Sequence, residues 1–163
     1  SDVAQGEAGE GLFAGKHIMK EDWDLPEKTA EATRDGWLHT GDIAVMGEEG
    51  FMTIKDRIKD MIISGGENVY PAEIENVLLQ HEQIADVAVI GQSSARWGES
   101  PLAVVVKKSA DLAEADILSH CSEKLAKFKL PKAVVFTDIL PRNATGKLLK
   151  KVLRDQFPEP ALE

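Results

Sequence analysis

The stretch "PRNATGKLLKK", Pro141 to Lys151, sets a lysine directly after a glycine in a polar segment ahead of a short apolar, basic run. Such pairs often serve phosphate. A Walker-type loop, however, needs G-x-x-x-x-G-K followed by Ser or Thr. Here Pro141 occupies the first glycine position and Leu148 follows Lys147, so the hydroxyl that would hold magnesium is missing. On spacing alone, Thr145 and Gly146 form a turn that caps the last helix, and Lys147 points to solvent. "SGGENVYP" places Gly65 and Gly66 between a strand and an extended segment. Adjacent glycines let a backbone approach a ligand closely, or simply supply a tight bend at positive φ. In "TGD", Thr40 to Asp42, the aspartate can accept bonds from sugar hydroxyls or merely begin a strand. His17, His39, His81 and His120 are scattered without metal-ligand spacing.

The elements that must carry these residues fall into two sections. Residues 1–57 are rich in small and acidic side chains and have too few apolar ones for a core of their own. "LPEKTAEAT" predicts a short helix opened by Pro26. "DIAVMGEEGFMTIKDR" predicts a hairpin from Ile43 to Lys55. This section is expected to be the trailing edge of a larger domain, partly disordered at its start. Residues 58–163 are self-sufficient: "DMIIS", "IADVAVIG", "PLAVVVKK" and "AVVFTDI" predict strands, with "SSARWGES" as a polar connecting loop. Pro71 opens a helix through Gln80 with Glu73 and Glu75 near its positive end. A second helix is predicted over 113–128, its apolar period ending at Phe128, and a third over 148–157. The fold class is α+β: a small mixed sheet with packed helices, in two layers, preceded by the hairpin.

The bulk composition is that of a globular protein: 163 residues, 43% hydrophobic, 29% charged, with a net charge of -9. Charge is uneven: residues 1–50 hold 12 acidic and 4 basic side chains, residues 121–154 hold 2 acidic and 9 basic. The acidic total argues against a nucleic-acid partner, while the basic third suits a small phosphorylated ligand or a solvated lysine face. No apolar run reaches the roughly 20 residues of a transmembrane segment. A single cysteine, Cys121, fits a reducing, cytoplasmic setting.

Taken together and in order, "GWLHTGD", "IKDRIKDMIISGGENVYPAEIE" and "LPRNATGKLLK" resemble the C-terminal part of the acyl-CoA synthetases, in the adenylate-forming superfamily that includes luciferase and peptide-synthetase adenylation domains. The resemblance runs from about Gly36 to Phe157. It implies two half-reactions: a carboxylate and ATP give an acyl-adenylate and pyrophosphate, then CoA takes the acyl group. It also implies a missing N-terminal adenylation domain as partner, with a small-molecule acid, ATP and CoA as ligands and magnesium bound in the full-length parent. Lys147 matches the adenylation lysine, Asp42 the ribose-binding aspartate, Arg57 the arginine near ribose and phosphate, and Lys59 the hinge. Gly65 and Gly66 match the loop lining the pantetheine tunnel. "IKDRIKDMIISGGENVYPAEIE" looks most like ligases for fatty acids; an aryl or small dicarboxylic acid is the alternative within the class. A free-standing nucleotide-binding module and a peptide-synthetase adenylation domain are the alternatives outside it; "FPEPALE" reads as a natural end, against the latter.

Beyond those motifs, Trp97 lies beside Arg96, and Phe128 lies among Lys127, Lys129 and Lys132. An aromatic face with cations is what a phosphorylated adenosine requires, which assigns both residues to CoA. Phe128 could equally end the apolar stripe of its helix.

Overall fold

The computed structural model describes residues 3–158. The chain divides between Lys59 and Asp60 into two compact units.

The first unit holds strand β1 (Ala8–Phe13), helix α1 (Pro26–Ala32), strand β2 (Leu38–Met46) and strand β3 (Met52–Arg57). The strands form an antiparallel sheet in the order β1-β2-β3. The β2–β3 hairpin is the one the sequence predicts; Gly50 N donates to Gly47 O at 3.0 Å to close its turn. α1 opens at Pro26, whose missing N–H has no partner to lose at a helix start. β1 lies in a segment to which the sequence reading gave no element. Its two glycines are poor strand formers, yet a Cβ at Gly11 would sit 3.3 Å from Thr40 Oγ1, so the small residue lets β1 approach β2. Only Ile43 and Ala44 are buried hydrophobics among the described residues of this unit. Trp37, Phe51 and Ile54 are exposed.

The second unit is organised around a long antiparallel hairpin, β6 (Ile84–Ser94) and β7 (Gly98–Lys107). The short strands β4 (Ile62–Ser64) and β5 (Glu67–Val69) and the strand β8 (Ala133–Thr137) complete a five-stranded sheet. β8 runs parallel to β7, and the other pairs are antiparallel, so the sheet is mixed. Side chains alternate across the hairpin. Val87, Val89, Ala103 and Val105 pack with Ile74 and Leu78 of helix α2 (Pro71–Leu78) and with Ile117 and Cys121 of helix α3 (Glu114–Ser122). Ala88, Ile90, Leu102 and Val104, of the opposite parity, pack with Leu140 and with Leu153 of helix α4 (Lys150–Gln156). The predicted helix-on-sheet layering is therefore present, and α4 extends it by covering the other face. This double coverage explains why the β6 and β7 sequences read as continuous apolar runs rather than as alternating ones.

Several element boundaries differ from the sequence expectation: β2 starts at Leu38 and not at Ile43, and α2 ends at Leu78 and not at Gln80. The polar loop "SSARWGES" shrinks to Ala95–Trp97, because the buried residues Gln92, Ser94 and Ser100 continue the hairpin ladder. The helix expected over 113–128 ends at Ser122. Leu125 and Leu130 both pack against the main core cluster, and a spacing of five cannot keep one face of a single helix. Phe128 consequently lies in a 3₁₀ turn, Lys127–Lys129, and not at a helix end. The last helix begins at Lys150 and not at Leu148, because Leu148 bridges Arg142 in extended conformation.

Candidate functional site

In the first unit, Asp42 and Arg57 are directly opposite each other across β2 and β3. Arg57 Nε lies 2.9 Å from Asp42 Oδ1, so the two residues that the motifs single out are joined. The segment before Asp42 is held from β1. Glu10 Oε1 accepts from Gly41 N at 3.1 Å, Glu10 Oε2 lies 2.9 Å from His39 Nδ1, and Thr40 Oγ1 donates to Gly11 O at 2.8 Å. Burial alone would raise the Glu10 carboxyl. The hydrogen bonds from His39 and Gly41, with the His39 and Arg34 charges, outweigh that and hold it below its ordinary value. The sequence reading did not single out Glu10, because its partners lie 29 and 31 residues away. Lys59 is exposed, in a 3₁₀ turn formed by Ile58–Asp60.

In the second unit, the β4–β5 turn meets the β6–β7 turn. Gly65 N donates to Trp97 O at 2.8 Å, and a Cβ at Gly65 would stand 2.9 Å from Trp97 Cε3. Gly65 and Gly66 have φ of +61° and +88°, the left-handed region that glycine occupies without penalty. A Cβ at Gly66 would meet nothing within 4 Å, so that position faces open space. The Trp97 indole is 37% exposed and carries two cations over its ring, Arg96 at 4.6 Å and Lys132 at 5.9 Å. Phe128 is 39% exposed, with Lys129 Nζ 5.6 Å from its ring centroid. Lys129 is also bound to Glu73, 2.7 Å from each carboxylate oxygen. Of the cations expected around the aromatics, Lys129 is thus committed to α2 and Lys132 belongs with Trp97.

Lys147 is on a different loop. Residues Asn143 to Gly146 form a tight turn in which Gly146 N donates to Asn143 O at 2.9 Å, with Gly146 at φ +83°. Asparagine at the first and glycine at the last position are what such a turn favours. The turn is neither a phosphate loop nor a helix cap: Lys147 O accepts from Asn143 N at 2.9 Å, making the loop the tip of a small hairpin that Arg142 and Leu148 close. The Lys147 side chain is exposed and has no partner among the described residues.

These two groups lie at opposite ends of the central hairpin. The Lys147 loop is tied by Arg142 to Asp86, at 2.7 Å, near the start of β6. Gly65 and Trp97 gather at its far end, beyond Ser94. The eight steps from Asp86 to Ser94 correspond to about 25 Å of strand. The basic, aromatic patch and the free lysine therefore cannot serve one small target from a single orientation.

Among the described residues no group of three or more His, Cys, Asp or Glu side chains could hold a metal ion, and no helix is long and apolar enough to cross a membrane. Cys121 is fully buried, and burial pushes its thiol up to about 11 against a modest opposing effect of Lys124.

The chain is 49% identical over 149 residues to the long-chain-fatty-acid–CoA ligase FadD13 of Mycobacterium tuberculosis (strain H37Rv), covering 91% of this chain and 30% of that protein. It is 48% identical over 151 residues to the 2-succinylbenzoate–CoA ligase of Bacillus mycoides, covering 93% of this chain and 31% of that protein. The chain thus spans about a third of the length of the relatives it matches. The solved structure of the o-succinylbenzoate CoA synthetase of Bacillus subtilis, in complex with ATP and magnesium ion, superposes with a TM-score of 0.87 at 38% identity, over 95% of this chain and 32% of that one. Residues 73–147 match the family of the AMP-binding enzyme C-terminal domain. The β6–β7 hairpin, α3, β8, the Lys147 loop and all of α2 but its first two residues lie inside that match, which identifies residues 73–147 as an AMP-binding enzyme C-terminal domain, of the adenylate-forming superfamily.

Proposed function

We propose that this chain is the C-terminal part of an ATP-dependent acid–CoA ligase. In the first half-reaction a carboxylate oxygen attacks the α-phosphorus of ATP, the bond to the β-phosphate breaks, and acyl-adenylate and pyrophosphate form. In the second, the CoA thiol attacks the acyl carbon, AMP leaves, and the thiol proton is released. The observation that carries the reading is the two-ended second unit, with a partner-free lysine at one end of β6 and a glycine turn beside a cation-bearing tryptophan at the other.

Each end suits one half-reaction. The Lys147 ammonium would stabilise charge growing on the α-phosphate and the carboxylate, a positioned electrostatic contribution. The side-chain-free Gly65 and Gly66 would flank the thin pantetheine chain, and Trp97 and Phe128 would receive the adenine, with Arg96 and Lys132 near its phosphates. Asp42 would bind the ATP ribose hydroxyls, with Arg57 orienting it. Lys59 would be the hinge whose torsion exchanges one end for the other. The first unit would then be the trailing part of the adenylation domain. That domain would supply the acyl pocket, the phosphate loop and the place where magnesium arrives with ATP. A buried lone thiol suits a reducing, cytoplasmic compartment.

A fatty acid is the preferred acid, on the identity to FadD13. An aryl acid is the second reading, because the 2-succinylbenzoate ligase matches almost as well. Pyrophosphate release by the full-length parent across a panel of fatty, aryl and dicarboxylic acids decides between them. A parent that released pyrophosphate with none of them, although folded, would overturn the ligase reading.

A further inference from the structure

Lys147 has a free side chain on a strictly held backbone. Asn143 Oδ1 accepts from Lys147 N at 2.8 Å, from Thr145 N at 3.1 Å and from Thr145 Oγ1 at 2.8 Å. One amide oxygen therefore gathers three donors and fixes the inside of the loop. The peptide carbonyl just before Lys147, that of Gly146, accepts from Arg142 Nη1 at 3.0 Å. The other nitrogen of the same guanidinium, Nη2, donates to Asp86 Oδ2 at 2.7 Å. Asp86 is itself fixed, because its Oδ1 accepts from Val87 N at 3.0 Å on β6. After Lys147, Leu148 packs against the cluster formed by Ala88, Ile90, Leu102 and Val104, and Leu149 N donates to Pro141 O at 2.8 Å.

These contacts are exposed or half-exposed: the side chains of Arg142 and Asp86 retain 44% and 35% of their accessible surface. Ion pairs and hydrogen bonds in such positions add little to global stability. What they do determine is where the loop points. A planar guanidinium that bridges a strand carboxylate and a loop carbonyl fixes both distance and angle, which a lysine could not do.

We propose that Asp86, Arg142 and Asn143 are positioning residues for Lys147: the Asp86–Arg142 bridge ties the loop to the rigid strand, and Asn143 sets the Lys147 peptide within it. The proposal rests on the reading of Lys147 as the adenylation lysine. Misplacing a reacting group by about 1 Å can cost on the order of 100-fold in rate, so loss of these supports is read in the turnover number for adenylation. It is not read in ATP binding, in the thioester step or in melting temperature. The two supports act through one loop, and Asp86 and Arg142 through one another.

The test uses the full-length parent. Pyrophosphate formation from acid and ATP, and thioester formation from synthetic acyl-adenylate and CoA, are measured separately for Asn143→Ala, Asn143→Asp, Arg142→Ala, Asp86→Ala and the double variant of the last two, beside Lys147→Ala. Asn143→Ala is expected to lower kcat for adenylation by about 10- to 100-fold, with the KM for ATP and the thioester step little changed and Tm within about 5 °C of wild type. Asn143→Asp keeps the three-donor acceptor and is expected to recover most of the rate. The Asp86→Ala/Arg142→Ala double variant should be no slower than the worse single variant, as expected for residues that act as a pair. Amide hydrogen exchange on the 163-residue chain gives an independent readout: Asn143→Ala should accelerate exchange at Thr145 and Lys147 while the amides of β6 and β7 keep their protection. If Lys147→Ala abolishes adenylation and the support variants leave it at the wild-type rate, the positioning proposal falls and the role of Lys147 stands. Equal loss in both half-reactions with a lowered Tm would also overturn it, by showing an ordinary folding role. If Lys147→Ala itself adenylates normally, the reading of Lys147 fails first.

Discussion

Gly65 and Trp97 are fitted to each other: the glycine amide donates to the tryptophan carbonyl at 2.8 Å, and the missing Cβ of the one is filled by the indole of the other. Gly65→Ala should therefore be costly on two counts, a methyl group 2.9 Å from Trp97 Cε3 and a left-handed backbone at φ +61°. Together these should destabilise the chain by about 1–3 kcal/mol. In the Trp97→Ala background the steric part disappears and only the backbone part remains. Denaturant titration of the two single variants and the double variant measures this; strictly additive effects would show that the indole does not occupy the space beside Gly65.

Trp97→Ala in the full-length parent should raise the KM for CoA by about 5- to 100-fold, since stacking of a base on one aromatic ring is worth about 1–3 kcal/mol. The parameters for ATP and acid should stay near wild type. Initial rates at varied CoA check this, and an unchanged KM for CoA would remove Trp97 from the CoA site.

Lys147→Ala in the parent should slow adenylation by about 10²- to 10³-fold, the loss expected for one charge contact made in the transition state. Thioester formation from synthetic acyl-adenylate should be spared. Gly66→Leu should give the mirror image, with adenylation intact and the thioester step lost, because its side chain would enter the open space beside the turn. Its positive φ makes some general destabilisation certain, so the ratio of the two half-reactions is the quantity to compare. A Gly66→Leu parent with a normal ratio would reduce the glycines to a turn-forming role.

Cys121 gives a pH signature. Its thiol is raised from 9.0 to about 11 in the fold, so between those values the folded chain holds a proton that the unfolded chain has lost. Stability is then fully present below pH 9 and declines as pH rises toward 11, by about 2–3 kcal/mol from this group. The measured quantity is the stability gap between wild type and Cys121→Ala, in which contributions from all other groups cancel. That gap should narrow from pH 8 to pH 11; a constant gap would mean that the thiol ionises alike in both states.

The elements that were legible in the sequence are those whose signals are local. Pro71 at the first helical position, Gly65-Gly66 after "DMIIS" and the valine-rich runs of β6 and β7 each have a cause within a few residues. The members of the candidate site were legible as motifs, and the pairing of Asp42 with Arg57 follows from the hairpin that joins them. What escaped was non-local. Gln92, Ser94 and Ser100 look like loop residues, yet they are buried and carry the hairpin out to Trp97. Phe128 fits a helical period by spacing alone, although the core claims Leu125 and Leu130 instead. Asp86 and Arg142 are separated by 56 residues and read individually as ordinary surface charges. Their relation exists only once β6 is in place beside the loop.

Among the described residues the sheet β1-β2-β3 ends in β1 on one side and β3 on the other, and Trp37, Phe51 and Ile54 of this unit are exposed. Unpaired edges and apolar side chains are templates for association between copies. The same section of sequence, residues 1–50, carries 12 acidic against 4 basic side chains. Like charges on neighbouring molecules hold such edges apart only while their repulsion reaches across the gap, about 10 Å in 0.1 M salt and about 3 Å in 1 M. Colloidal behaviour should thereby be coupled to ionic strength: the isolated chain is expected to stay dispersed in dilute buffer, and added salt, by shortening that reach, to let the edges of neighbouring copies meet.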